Sequence, residues 1–279
     1  MKFLRFAFFS GLAAAVLLAL YSLFIEPDWL RVRTEPLQVS TRQGRTLRIV
    51  HLTDIHWGNA SRRYLRAAFR RAAEQKPDVI LLTGDYMDGR VEDKAGFIAL
   101  MKILPDAAPT YAVQGNHDGG SWAALSGGYE NTETIRRLMT EAGVRYLENA
   151  YSCPLLKGAR VCIGGAGDVW ARNFFPERFA PRMDREPADL RLMLLHNPDG
   201  KERLLDAQWD LLLAGHTHGG QIVLPWIGSP WAPVLDKRVL KGLFRYEGRW
   251  VHISPGVGRS GHRVRFNCRP EVSVLEVGI

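Results

Sequence analysis

The hydrophobic positions fall into one long block followed by many short ones. The long block, Phe6 to Ile25, carries no charged residue. As a helix rising about 1.5 Å per residue, it spans a hydrocarbon core about 30 Å thick. Lys2 and Arg5 precede it, and its end reads Leu20-Tyr21-Ser22-Leu23-Phe24. The small residues of a signal-cleavage site are missing there. The pattern predicts an uncleaved, single-pass N-terminal anchor over residues 1–25. Its orientation stays open, because Lys2 and Arg5 on one side face Arg31 and Arg33 on the other. Residues 26–45, with Pro27 and Pro36, read as a polar connector that includes a short edge strand.

From residue 46 to residue 279 the short blocks predict one large domain. Thr46 to Thr53 is a branched, apolar run that ends in polar residues, as a buried strand does. Ser61 is placed to cap a helix that runs to about Gln75, where Lys76-Pro77 stops it. Asp78 to Thr83 predicts a second buried strand, Glu92 to Leu104 a helix, and Thr110 to Val113 a third strand. This rhythm argues for an α/β fold with parallel pairing. Thr132 to Ala142 predicts a further helix. Short strands are expected at residues 144–147, 151–155 and 160–164, joined by hairpins. Leu190 to Leu195 and Trp209 to Leu213 predict buried strands separated by a short helix. Three more strands are expected at residues 240–246, 250–254 and 272–277. The second half is thus expected to be more antiparallel than the first.

The polar residues at the strand ends carry the chemistry. Alternate residues of an extended chain share a face, so Asp54 and His56 can reach one point. The next runs end in Gly84-Asp85-Tyr86-Met87-Asp88, in Gly115-Asn116-His117-Asp118, in His196-Asn197-Pro198-Asp199 and in Gly215-His216-Thr217-His218. In an α/β sheet the carboxyl ends of the strands share the edge where ligands bind. Five segments therefore deliver carboxylate, imidazole and amide groups to one place. A single Asp at such a junction is usually a turn cap; five such junctions together point to a metal site. Oxygen and nitrogen donors without sulfur suit Mn, Fe, Zn, Mg or Co. Seven candidate ligands exceed one tetrahedral site and suffice for two divalent ions. Two such ions bring about +4 against about −3 from two carboxylates and a hydroxide, a surplus that suits a phosphate.

Composition adds little. With 46% hydrophobic and 24% charged residues the chain is globular rather than disordered. The net charge of +8 favours acidic partners, and a solvated Arg-rich surface is the competing reading. The cysteines, Cys153, Cys162 and Cys268, are odd in number and form no C-x-x-C pair. Three reduced, buried thiols are expected.

In this order, DIH at 54–56, GDYMD at 84–88, GNHD at 115–118, His196 and GHTH at 215–218 resemble the signature of the calcineurin-like metallophosphoesterase superfamily. The resemblance covers residues 47 to about 277. LLHNPD, AGHTHGGQIVLP and GVGRSGHRVRFNCRPEV are similar to its membrane-anchored branch of YkuE-like and YaeI-like phosphodiesterases. That branch includes an integral-membrane UDP-2,3-diacylglucosamine hydrolase of lipid A synthesis. The resemblance implies a four-layer sandwich of two mixed β-sheets flanked by helices. It implies that Asp54, His56 and His218 hold one metal, that Asn116, His196 and His216 hold the other, and that Asp85 bridges. Two divalent ions follow, Mn2+ foremost and Fe, Zn or Mg as alternatives. His117 is implied as the acid that protonates the leaving oxygen, with Asp88 orienting it. Asp118 is open between a turn cap and a supporting role. The implied reaction is in-line attack of water on phosphorus.

The substrate is less legible. Arg172, Arg259, Arg263 and Arg265 are candidates to bind phosphate, with ordinary solvated arginines as the alternative. Pro225 to Trp231 is apolar for a loop and either receives an acyl chain, touches the bilayer or covers the core. An anchored site in a bacterial inner membrane faces lipid, so a lipid-linked phosphodiester or pyrophosphate such as UDP-2,3-diacylglucosamine is the first expectation. A broad phosphodiesterase or phosphomonoesterase outside the cytoplasm is the second, and a catalytically inactive metal-binding scaffold the third. Nucleic acid is disfavoured, since no long basic run with interleaved aromatics occurs. The sequence is silent on oligomeric state.

Overall fold

The computed structural model describes residues 2–39 and 44–279; Met1 and residues 40–43 of the connector lie outside the described residues. Among the described residues thirteen strands form two sheets. The first holds β1 (Arg31–Gln38), β2 (Thr46–Leu52), β3 (Val79–Thr83), β4 (Thr110–Val113), β5 (Arg145–Tyr146) and β13 (Glu271–Gly278), in the order β1-β13-β2-β3-β4-β5. β2 to β5 are mutually parallel, and β13 lies antiparallel to β2. β1 runs parallel to β13 along its whole length, so the expected edge strand is present within the connector.

The second sheet holds β6 (Ala150–Ser152), β7 (Leu155–Leu156), β8 (Ala159–Gly165), β9 (Leu190–Leu194), β10 (Leu211–Ala214), β11 (Gly242–Tyr246) and β12 (Arg249–Ile253). As expected, the second half is more antiparallel than the first, although its central strands are parallel. β8, β9, β10 and β12 are parallel, and antiparallel pairing is confined to β6, β7 and β11. The connections across residues 166–189, 195–210 and 215–241 are long enough to return the chain to the starting edge, as parallel pairing requires.

Side-chain alternation builds the layers. In β2, Leu47 and Ile49 face the second sheet while Val50 and Leu52 face helices. β3 repeats this with Val79 and Leu81 against Ile80 and Leu82. From the other side Leu192, Leu194, Leu211 and Leu213 close the inter-sheet core. On the outer face of the first sheet lie α2 (Arg62–Ala73), α3 (Lys94–Met101) and α5 (Glu133–Glu141); α2 turns Leu65, Ala68, Phe69 and Ala72 inward. Ser61 caps α2 by accepting from the Tyr64 N–H at 3.2 Å, as expected. A shorter helix, α4 (Ser121–Leu125), follows β4. Beyond the second sheet, α6 (Ala180–Met183) and a 3₁₀ turn at Pro198–Leu204 cover Met193 and Leu212. The result is the four-layer sandwich of two mixed sheets flanked by helices.

The apolar block forms α1 (Lys2–Leu20) and continues through a π turn and a 3₁₀ turn to Asp28. Arg5–Asp28 is long and apolar enough to cross a membrane. Its foot is built into the domain. Ser22, Glu26 and Pro27 are buried, and the Glu26 carboxylate accepts from the N–H groups of Asn267 (2.9 Å) and Cys268 (2.5 Å).

The cysteine expectation is corrected. Cys153 and Cys162 form a disulfide, and Cys268 is buried and free. The antiparallel pairing of Ser152 with Ile163 sets Cys153 opposite Cys162 one step further on, so their Cα atoms stand 4.0 Å apart. Such cross-strand neighbours are nine residues apart in sequence and show no motif spacing.

Candidate metal centre

Five parallel strands, β2, β3 and β4 of one sheet and β9 and β10 of the other, end at one edge, and the seven expected ligands follow directly after them. The loops there are held in an unusual backbone state. Asp54 (φ 53°), His56 (48°), Asp85 (55°), His216 (68°) and His218 (49°) all occupy the left-handed region. Residues with side chains avoid it unless their surroundings over-determine it, and such strain gathers at functional sites. The loops after β3 and β4 touch backbone to backbone: a Cβ on Gly84 (φ 91°) would lie 2.5 Å from the Gly115 nitrogen. Glycine before Asp85 and before Asn116 lets these two side chains converge.

The side chains form two adjoining clusters. In the first, His218 Nε2 lies 3.1 Å from Asp54 Oδ1 and 3.2 Å from His56 Nε2. In the second, His196 Nε2 lies 3.1 Å from Asp85 Oδ2 and 3.2 Å from His216 Nδ1. Asp85 Oδ2 is also 3.7 Å from His56 Nε2, so one carboxylate reaches both clusters. Asp54 Oδ1 and Asn116 Oδ1 are buried with no hydrogen-bond partner among the described residues. Unpaired buried oxygens are rare, because desolvation without compensation costs several kcal/mol. Together with imidazole nitrogens aimed at them, these oxygens suit a pair of divalent cations. The far ring nitrogens are engaged: His196 Nδ1 donates to Thr83 O (2.6 Å) and His216 Nε2 to Pro233 O (3.0 Å). Those carbonyls leave His196 Nε2 and His216 Nδ1 as the ligand atoms.

The electrostatics fit the same conclusion. Burial would raise the Asp85 carboxyl, but His196, His117 and His56 hold it well below its ordinary range. Asp54 is likewise pulled down against its burial by His218. Burial lowers His216 to about 3, with His196 adding to the effect, so it is a neutral ligand. Burial would also lower His196, but Asp85 and Asp54 lift it to about 10, so metal binding there displaces a proton.

His117 stands beside the clusters with 18% of its side chain exposed. Its Nδ1 is 3.1 Å from Asp88 Oδ1, and Asp88 in turn accepts from Asn59 Nδ2 at 2.6 Å. Burial alone would depress the His117 imidazolium, but Asp85 and Asp88 outweigh it and raise the pKa to about 9. His117 is thus held protonated at neutral pH, with Nδ1 turned to Asp88. Asp118 answers the question left open for it. Its carboxylate accepts from the N–H groups of Gly115, Asp85 and Tyr86, each at 2.8 Å, and so clasps the β3 and β4 loops together. Burial, with Asp85 nearby, raises Asp118 to about 7.

The arginine candidates are placed elsewhere. Arg265 is fully buried, its guanidinium donating to the carbonyls of Cys268, Pro255 and Gly258. Arg259 is buried against Asn59 O and Asp28, and Arg263 pairs with Asp28 at 2.5 Å. These three hold the foot of α1 and the segment after β12 instead of a phosphate. Arg172 is exposed on its loop, and its neighbour Trp170 faces the metal residues instead, 4.5 Å ring to ring from His216 and 4.6 Å from Trp122. Trp170, Trp122 and His262 line a cavity of 420 Å³ floored by Asp85, Asn116 and His117. The signal for Trp170 was a tryptophan in the loop after β8, two residues before the Arg that drew attention first.

Two adjoining nests of carboxylate, imidazole and amide at the edge of a four-layer sandwich, with a protonated histidine alongside, define a metal-dependent phosphoester hydrolase. The chain belongs to the calcineurin-like phosphoesterase family, which it matches over residues 47–220. It is 36% identical to phosphodiesterase YaeI of Escherichia coli over 92% of each chain. It is 26% identical to UDP-2,3-diacylglucosamine pyrophosphatase LpxG of Chlamydia trachomatis, over 95% of this chain and 94% of that one. Among solved structures its fold is like that of a 5'-nucleotidase precursor from Thermus thermophilus. The TM-score is 0.51 at 16% identity, over 77% of this chain and 50% of that one.

Proposed function

We propose that this protein is anchored in the bacterial inner membrane by residues 5–28. There it hydrolyses a phosphodiester or pyrophosphate bond in a lipid-linked substrate, with UDP-2,3-diacylglucosamine the leading candidate. The observation that carries this reading is the cavity itself: its floor is metal ligands and His117, and its walls are tryptophans and prolines. Asp54, His56 and His218 hold one ion, Asn116, His196 and His216 the other, and Asp85 reaches both. Mn2+ is the metal expected. When bound, the ions bring water toward ionisation at neutral pH and draw in the phosphate oxygens. His117 gives its Nε2 proton to the leaving oxygen, and Asp88 holds the ring in that orientation through Nδ1. The full length shared with LpxG supports the named substrate.

The test is release of UMP from UDP-2,3-diacylglucosamine by the purified full chain with Mn2+. Turnover at least about 100-fold above a His117→Ala variant is expected, in line with the usual contribution of a general acid. UMP at the level of that variant ends the proposal for this substrate. The Cys153–Cys162 disulfide favours a second reading, a broader phosphodiesterase or phosphomonoesterase acting outside the cytoplasm, because such bonds persist in oxidising compartments.

A further inference from the structure

We infer that the segment 222–235 is a lip that dips into the bilayer surface and passes the acyl part of an amphiphilic phosphoester to the metal site. The inference rests on the reading of residues 5–28 as a membrane span.

The segment carries apolar side chains that the domain leaves outside. Trp226 is 103% exposed, Trp231 84% and Leu235 91%, with Ile227 between them also exposed. Soluble surfaces rarely gather such residues in one stretch. The backbone beneath them is nonetheless firmly held. Leu224 and Gly228 exchange hydrogen bonds across the tip, and the Leu235 N–H donates to the Asp199 carboxylate. Pro233 O accepts from His216, a candidate metal ligand. An ordered loop that presents tryptophan and isoleucine to the outside is built for a contact.

The fold says what covers it. Ile222 bridges Phe266, the Val223 N–H donates to Phe266 O, and the Phe266 N–H donates to Gln221 O. One residue earlier, the Arg265 N–H donates to Ser22 O in the foot of the apolar helix. One residue later, Asn267 and Cys268 donate to Glu26. The lip and the helix foot are therefore fastened to the two sides of one short segment, residues 265–268. Around the foot Phe24, Ile25 and Trp29 are also exposed. Tryptophan at the level of the headgroups is the usual membrane-interface anchor. A helix of this length in a bilayer brings its foot, and with it the lip, to the lipid surface.

The inner face of the same lip lines the cavity. Ile222, Pro230, Trp231 and Pro233 line it together with Trp122, Trp170, Asn116 and His117. A ligand with a phosphoester at one end and an acyl chain at the other matches a site with metal ligands below and an apolar wall that runs out to lipid.

The test uses the full chain in vesicles of phosphatidylcholine and phosphatidylglycerol. Cys268 is buried and Cys153 is joined to Cys162, so a cysteine placed at an exposed position is the reactive one. Trp226→Cys, Leu12→Cys in the helix and Lys102→Cys just after α3 each receive a nitrobenzoxadiazole probe. Nitroxide-bearing lipid is expected to quench positions 226 and 12 by about half or more and to leave 102 bright, as for an apolar surface sunk to the acyl boundary. Quenching at 12 without 226 overturns the lip and leaves the anchor standing. Quenching at neither removes the anchor and the lip with it. In a second arm, Trp226→Ser with Ile227→Ser is assayed on bis(p-nitrophenyl) phosphate in solution and on a diacyl phosphodiester within the vesicles. An order-of-tenfold loss on the vesicle substrate alone is expected from removing two interfacial side chains. Equal effects on both substrates, or none on either, overturn the role in delivery.

Discussion

His117 shows how a single residue is prepared for the acid role proposed for it. An isolated imidazole is mostly neutral at pH 7, which is the wrong state for an acid. Asp85 and Asp88 raise its pKa to about 9, so the proton is present below that pH and leaves as pH rises through it. Turnover is therefore expected to fall on the alkaline side. Asp88→Asn removes a negative charge that favours the imidazolium, so the alkaline limb moves to lower pH, by about one to two units. A kcat profile across about pH 5 to 10 checks this. An unmoved limb means that Asp88 does not hold the proton. The position of Asp88 within GDYMD was legible in the sequence. The roles of Glu26 and Arg265 were not, and Asp118 was legible only as a turn cap, because all three also bond backbone of more distant stretches, which no local spacing records.

At the scale of elements, the strand ends and the loops after them do the positioning. Branched apolar runs such as TLRIVHL and VILLT were readable as strands because both sheet faces are covered and most positions are apolar. Where those runs gave way to Asp, Asn or His marked the edge of the sheet. The close approach of the β3 and β4 loops depends on Gly84 in a left-handed conformation against the Gly115 backbone. Gly84→Ala is expected to destabilise the chain by more than about 1 kcal/mol, since both the strain and the clash oppose the side chain. It is also expected to lower metal content by parting Asp85 from Asn116. Urea unfolding of the detergent-solubilised chain and elemental analysis measure the two effects. A variant with unchanged midpoint and metal load shows that the loops tolerate separation.

At the scale of the whole molecule, the N-terminal segment is part of the catalytic body. β1 pairs with β13 over eight residues, Arg31 bonds Glu271, and Glu26 is buried under the segment that supports His218. A chain cut at Glu35 would lose half of that strand and the support with it. The disulfide bears on which side of the membrane this body occupies. If the domain is outside the cytoplasm, denatured protein taken from cells under thiol-blocking conditions offers one reactive cysteine, Cys268, to a maleimide. All three cysteines reacting places the domain in a reducing compartment, where UDP-2,3-diacylglucosamine is made, and removes the support for the second reading.

The sequence by itself determined the strands, the capped helices and which polar residues stand at strand ends, because those follow from periodicity and from the few residues that end an element. It also singled out the candidate ligands, since side chains at the carboxyl edge of parallel strands have one place to meet. Only the tertiary structure decided that the centre of the second sheet is parallel, the pairing of Cys153 with Cys162 and the burial of Arg259 and Arg265. It alone set Trp170 and the lip of residues 222–235 around the metal residues. These depend on which distant segments become neighbours, and a pattern confined to one stretch of chain holds no record of its partner across the fold.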